Sequence, residues 1–232
     1  VASEEDASRV VDKIHALLAD PVEVGGRHML IGVVMIPDNT QDLSNGFRYA
    51  DIAMYQAKSR GENLSCFYDA TMEERSQYHA RLKGLLAHCL THEELFLRYQ
   101  PIYSLVSREI TGVEALLRWR HKELGEVSPA EFIPLAEETG LIDTIGLWVV
   151  ERALTDLKRI HQETGGNITV SINISAKQLR DLTFPFKLDQ LLKKHGVETS
   201  SIKLEITESL LIMKSDNEHN VLLDLAKRGY CL

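Results

Sequence analysis

Four short segments constrain this chain most: residues 95–103, 109–119, 168–174 and 202–207 each separate apolar from polar side chains by parity. Successive side chains of a strand point to opposite faces, so parity assigns each residue to a face. Val170, Ile172 and Ile174 face one way; Ser171 and Asn173 face the other. Leu204 and Ile206 oppose Lys203, Glu205 and Thr207. Val113, Ala115, Leu117 and Trp119 oppose Glu114 and Arg118, and Leu97 and Tyr99 oppose Arg98 and Gln100. Helical patterns fall between these strands, at 129–139 (Ser128 as cap, Glu131 as box partner), 143–163, 175–181 with 184–195, and 215–228. Gly196 and Gly229 sit where helix stops belong. After the first two strands the order is strand, helix, strand, helix, which predicts a parallel sheet or barrel.

The polar parity needs an explanation. A sheet covered by helices on both faces carries apolar side chains on both parities, and a barrel interior is normally filled by branched apolar residues. Burying Glu114, Glu205 and Arg118 without partners would cost roughly several kcal/mol each. Bringing them together at one site costs less. Two carboxylates and the amide oxygen of Asn173 are oxygen donors suited to Mg²⁺ or Mn²⁺. A solvated face on an open antiparallel sheet would also explain the alternation, but it explains the intervening helices poorly.

The first 70 residues read differently. A helix over 4–19 is capped by Ser3, and a strand over 28–36 is stopped by Pro37. A helix over 42–60 places Leu43, Phe47, Ala50, Met54 and Ala57 on one face and ends at Gly61; a strand follows at 64–68. This order suggests an α/β layer domain. A connecting helix spans 71–90, with Thr71 and Glu74 as a capping box and a stripe of Tyr78, Leu82, Leu85, Leu86 and Cys89 for core or interdomain packing.

Composition removes several function classes. A net charge of −8 argues against nucleic-acid polymers, though not against a small anionic ligand held by a local Arg or a metal. Cys66, Cys89 and Cys231 are odd in number and show no CxxC spacing, as in a reduced cytosolic protein without a zinc site. No run of 18 apolar residues spans a membrane, and no signal segment opens the chain. The opening at Val1 and the close on Tyr230-Cys231-Leu232, which reads as the start of a strand, suggest a piece of a longer protein. Its location is expected to be cytoplasmic, with any membrane tether or sensory segment elsewhere.

Ordered blocks resemble a known family. Tyr99-Gln100-Pro101-Ile102, Gly112 to Trp119 with Glu114-Ala115-Leu116 at its centre, Pro129 to Ile142, Ser171 to Ser175, and Leu204 to Ser209 are similar to the EAL domain. Upstream, Ile31-Gly32 with Pro37, Ala50 to Lys58 and Gly61-Glu62-Asn63 look like the late part of a GGDEF domain. The resemblance divides the chain into the C-terminal part of a GGDEF domain (1–70), a connecting helix (71–94) and the N-terminal half of an EAL domain (95–232).

It implies a partial GGDEF α/β domain followed by an incomplete TIM-like (β/α) barrel. The activity it implies for the parent is hydrolysis of cyclic di-GMP to linear pGpG with Mg²⁺ or Mn²⁺. Glu114, Asn173 and Glu205 match metal ligands, with Glu114 and Glu205 catalytic through the metal. Gln100 and Arg118 match substrate contacts, and Glu208 a supporting glutamate. The family pattern continues with an Asp-Asp pair, a Lys, a further Glu and a Gln beyond the point where this sequence stops. The chain by itself is therefore expected to be inactive. Its open strand edges are expected to need a partner, such as a second copy in a homodimer. A non-catalytic cyclic di-GMP receptor and a regulatory scaffold remain alternatives to the phosphodiesterase.

Overall fold

The computed structural model describes residues 3–17, 30–36, 38–60, 65–164, 168–206 and 216–232. The chain divides into two units, Val1–Arg81 and Leu82–Leu232. Pro37, Gly61, Leu64, Thr207, Glu208 and Ser209, all given roles by the sequence, lie outside the described residues.

In the first unit, α1 (Glu4–Leu17) starts as expected. The Asp6 N–H donates to Ser3 Oγ at 3.2 Å, and Glu4, Glu5 and Asp6 occupy the first turn, where the helix dipole favours anions. Strand β1 (Ile31–Val33) pairs in parallel with β2 (Ser65–Phe67) across α2 (Leu43–Arg60). The buried face of α2 matches the expected one at Ala57 but not at Leu43, Phe47 and Met54. Leu43, Phe47 and Met54 are exposed, whereas Ala53 and Ala57 are fully buried with Cys66, Tyr68 and Met72. The cause is the close approach of α2 to β1. A Cβ on Gly32 would lie 2.0 Å from the Ala50 carbonyl oxygen and 2.7 Å from the Met54 nitrogen. At that separation only small side chains fit between helix and strand, so size outweighs hydrophobicity in choosing the face. Tyr49 stacks on Tyr68 with ring centroids 4.1 Å apart.

Helix α3 (Thr71–Leu86) crosses the boundary between the units. The Thr71–Glu74 box is not its cap. Asp69 Oδ1 instead accepts the Thr71 N–H at 2.9 Å. Leu82, Leu86 and Cys89 of the predicted stripe are buried, and residues 87–93 form turns rather than a last helical turn.

In the second unit, β3 (Leu95–Tyr103) runs antiparallel to β4 (Ile110–His121), which pairs in parallel with β6 (Thr169–Ile174), and β6 in parallel with β7 (Ile202–Ile206). A short β5 (Gly125–Val127), which the sequence pattern does not reveal, pairs antiparallel with the far end of β4. Helices α4 (Pro129–Thr139) and α5 (Leu141–Thr164) lie between β4 and β6, α6 (Phe184–His195) between β6 and β7, and α7 (Asp216–Lys227) after β7. A parallel bridge then joins Cys231 to Lys203, where the sequence starts its next strand. This β/α succession is the expected incomplete barrel.

The apolar parity faces the helices. Trp119, Val170, Ile172, Ile202 and Leu204 are buried, as are Ile145, Val150, Leu154 and Leu157 of α5. Each such large side chain contributes about 1.5–3 kcal/mol on leaving water. Gly140 and Gly196 close α4 and α6 in the left-handed region, at φ 76° and 61°, where a Cβ would be strained. Ser128 stands at the N-cap of α4, but its side chain makes no cap hydrogen bond. The helix expected over 175–181 reduces to a single 3-10 turn, Gln178–Arg180, because side chains there take the backbone N–H groups.

Candidate functional site

The polar parity forms one face across four adjacent strands. In register, Gln100 of β3 is opposite Glu114 of β4, Glu114 is opposite Ser171 of β6, and Asn173 of β6 is opposite Glu205 of β7. Asn173 Nδ2 donates to Glu114 Oε1 at 2.8 Å, a diagonal contact between neighbouring parallel strands. The opposite amide orientation would set oxygen against carboxylate, so the hydrogen bond fixes it. That choice leaves Asn173 Oδ1 free as a donor atom.

Asn173 and Glu205 are each the penultimate residue of their strand, at the C-terminal end where barrel sites are built. Glu114 departs from this expectation. It sits within β4, which runs on to His121, although the stretch of β4 paired with β6 ends at Ala115. Further along, at Trp119–His121, β4 pairs with β5. Glu114 thus lies one step below Asn173, and the diagonal hydrogen bond spans the step.

Arg118 is half-buried and donates to its neighbour's carbonyl, Leu117 O, at 2.8 Å. Gln100 is exposed. Glu208 lies outside the described residues. A cavity of about 480 Å³ opens at this end of the sheet, lined by Leu116, Arg118, Ile142, Asn173 and Gln178 among others. Neither Glu114 nor Glu205 lines this cavity; Ile133 of α4 and Ile142, Ile145 and Val149 of α5 make much of its wall, so only Arg118 and Asn173 of the predicted site residues reach it.

Among the described residues no three His, Cys, Asp or Glu side chains cluster as a metal site. A cation here would draw on both carboxylates and the amide oxygen, a hard all-oxygen set of the kind Mg²⁺ and Mn²⁺ accept.

An ionic group beside the site was not legible in the sequence. Arg98 of β3 and Arg120 of β4 both donate to Glu126 Oε1 of β5 at 2.7 Å, with Arg120 4.9 Å from the Phe96 ring centre. The two guanidiniums hold the Glu126 carboxyl below its ordinary pKa, Arg120 by its hydrogen bond most of all. Finding this group required β5, whose three residues are too few to carry a periodic signal.

The EAL domain family matches residues 84–232, and the diguanylate cyclase GGDEF domain family matches residues 1–64. The chain belongs to the EAL domain family, with a GGDEF region ahead of the EAL domain.

Bifunctional diguanylate cyclase/cyclic di-GMP phosphodiesterase MucR of Pseudomonas aeruginosa is 32% identical over 229 residues, which cover 97% of this chain and 33% of MucR. Cyclic di-GMP phosphodiesterase PdeR of Escherichia coli is 33% identical over 199 residues, covering 86% of this chain and 30% of PdeR. The solved PaMucR phosphodiesterase in complex with c-di-GMP superposes with a TM-score of 0.60 at 34% identity, covering 65% of this chain and 61% of that one. The Vibrio cholerae LapD S helix-GGDEF-EAL structure covers 98% of this chain and 53% of its own, with a TM-score of 0.59 at 16% identity, and so supports the fold alone. The chain spans about a quarter to a third of the length of the curated relatives it matches.

Proposed function

We propose that the full-length protein containing this chain is a metal-dependent phosphodiesterase that hydrolyses cyclic di-GMP to linear pGpG. The observation that carries the reading is the Glu114–Asn173 hydrogen bond beside the Asn173–Glu205 register pair, which gathers three oxygen-bearing side chains from three adjacent strands on one face. Glu114, Asn173 and Glu205 would hold Mg²⁺ or Mn²⁺, and Glu208 would support them. A cation bound there supplies charge to polarise the phosphodiester and lowers the pKa of a water.

The chain's own residues do the rest. Glu114 keeps the Asn173 amide turned with its oxygen outward. Arg118, released from the Leu117 carbonyl, can pair with a phosphate, and guanidinium-phosphate pairs are among the strong hydrogen bonds. Gln100, opposite Glu114, would contact the substrate. The reading also takes residues 1–70, 71–94 and 95–232 as the GGDEF part, connecting helix and EAL part.

No helix among the described residues is long and apolar enough to cross a membrane. A cytoplasmic location, and a homodimer formed through strand edges, belong to this proposal.

The test is chromatography of cyclic di-GMP incubated with the full-length protein and Mg²⁺ or Mn²⁺. Formation of pGpG by the wild type, and its loss on Glu114→Gln, supports the assignment. Tight binding of cyclic di-GMP without turnover would assign the receptor role instead, and neither binding nor turnover the scaffold role.

A further inference from the structure

We propose that Glu137, on α4, is a positioning residue that clamps the end of β6 and so fixes where Asn173 presents its amide. The inference rests on the proposed function for its catalytic consequence, but the clamp itself is a matter of geometry. Strand β6 ends one residue after Asn173, and Ser175 follows. Ser175 Oγ donates to Glu137 Oε1 at 2.6 Å, across 38 residues of sequence. Lys177 Nζ reaches the Glu137 main-chain oxygen, near the C-terminus of α4, where a cation is favoured. The loop also closes on itself. The Lys177 N–H donates to Ser175 Oγ at 3.2 Å, and the Ser175 N–H donates to Gln178 Oε1 at 3.0 Å.

The Ser175 hydroxyl therefore has its single proton committed to Glu137 while it accepts from Lys177. Glu137 is a firm reference point because α4 buries Phe132, Leu135 and Ala136 in the core. The Asn173 side chain is exposed and is tied to the sheet by its hydrogen bond to Glu114. Without the clamp, the backbone carrying Asn173 would lose its tie to α4. A second constraint acts from α5. Gly146 lies so close to the Gln178 carboxamide that a Cβ there would fall 2.1 Å from Nε2. The turn that follows the proposed ligand is thus tied to α4 by hydrogen bonds and closely approached by α5 through Gln178. Residues that orient a metal ligand from behind typically change metal affinity or activity by about 10–100-fold when removed.

The test uses the full-length protein with three variants, Glu137→Ala, Glu137→Gln and Gly146→Ala. Glu137→Ala should lower kcat about 10–100-fold and weaken Mn²⁺ binding while leaving KM for cyclic di-GMP within about threefold. Glu137→Gln keeps an acceptor for the Ser175 hydroxyl and should recover most of the loss. Gly146→Ala should reproduce the Glu137→Ala pattern from the opposite side.

Hydrogen exchange at the amides of residues 173–178 is the readout that does not depend on turnover, and Glu137→Ala should accelerate it. Unchanged exchange there, or a KM that rises as much as kcat falls, overturns the proposal. If the wild type itself fails to hydrolyse cyclic di-GMP, the functional reading fails, and the exchange and Mn²⁺ measurements still decide the clamp.

Discussion

Tyr99 and Asp156 fasten β3, one end of the strand path, to helix α5. Tyr99 Oη donates to Asp156 Oδ2 at 2.9 Å, and Arg152 Nε donates to the same oxygen at 3.0 Å. Asp156 is 7% exposed. Burial, with the hydrogen bond to Asp156 adding to it, pushes the Tyr99 phenol well above its ordinary pKa, so its proton stays available for donation throughout the neutral range. Tyr99→Phe deletes the hydroxyl and keeps the ring. A hydrogen bond to a charged group contributes about 1.5–3 kcal/mol, and the low end applies because Arg152 remains as a partner. Asp156→Ala strands the phenol and should cost about 3 kcal/mol. The double variant should cost less than the sum, with a coupling of about 1 kcal/mol or more. Urea unfolding followed by tryptophan fluorescence reads this directly, because both tryptophans, Trp119 and Trp148, lie in the second unit. A coupling below about 0.5 kcal/mol, the additivity of independent sites, would refute the view that this contact ties strand to helix.

Other outcomes follow from the same geometry. Gly32→Ala forces a Cβ against the backbone of α2 and should destabilise the first unit by about 1–3 kcal/mol or more; unchanged exchange protection over residues 43–60 would contradict the close approach. Asp181 is held at a pKa of about 2, first by its hydrogen bond from Lys187 and then by Thr183, below the ordinary carboxylate value. Its stabilising effect should be complete above the unfolded value near pH 4 and disappear as pH falls toward 2, which the stability difference between wild type and Asp181→Asn measures; a difference that does not change with pH would count against it. Burial, with the charge of Glu94 adding to it, pushes the Cys89 thiol up to about 11, and Cys66 is buried as well. A maleimide should therefore add once to the native chain, at exposed Cys231, and three times after unfolding; intact mass distinguishes the two.

The sequence by itself determined which residues share a face and where the principal strands and helices of the second unit run. Alternation at Val170–Ile174 and Ile202–Ile206 assigns Asn173 and Glu205 to the polar side whatever surrounds them, because strand parity is a local property of the backbone. Gly196 and Gly229 mark helix ends for an equally local reason, since left-handed backbone favours a residue without Cβ. Only the tertiary structure decided what depends on distance between segments. The close approach of α2 to β1 buried Ala53 beside the expected Ala57 and left Phe47 and Met54 exposed. Strand register placed Glu114 one step below Asn173, so that a diagonal hydrogen bond joins them. The turn after β6 gave up its helix because the side chains of Ser175 and Gln178 bond the backbone there, while Glu137, 38 residues earlier, holds the Ser175 hydroxyl. Periodicity records how a residue faces its own element. It contains nothing about which partner stands opposite or at what distance, and hydrogen bonds and close packing, being short-ranged, are set by those two quantities.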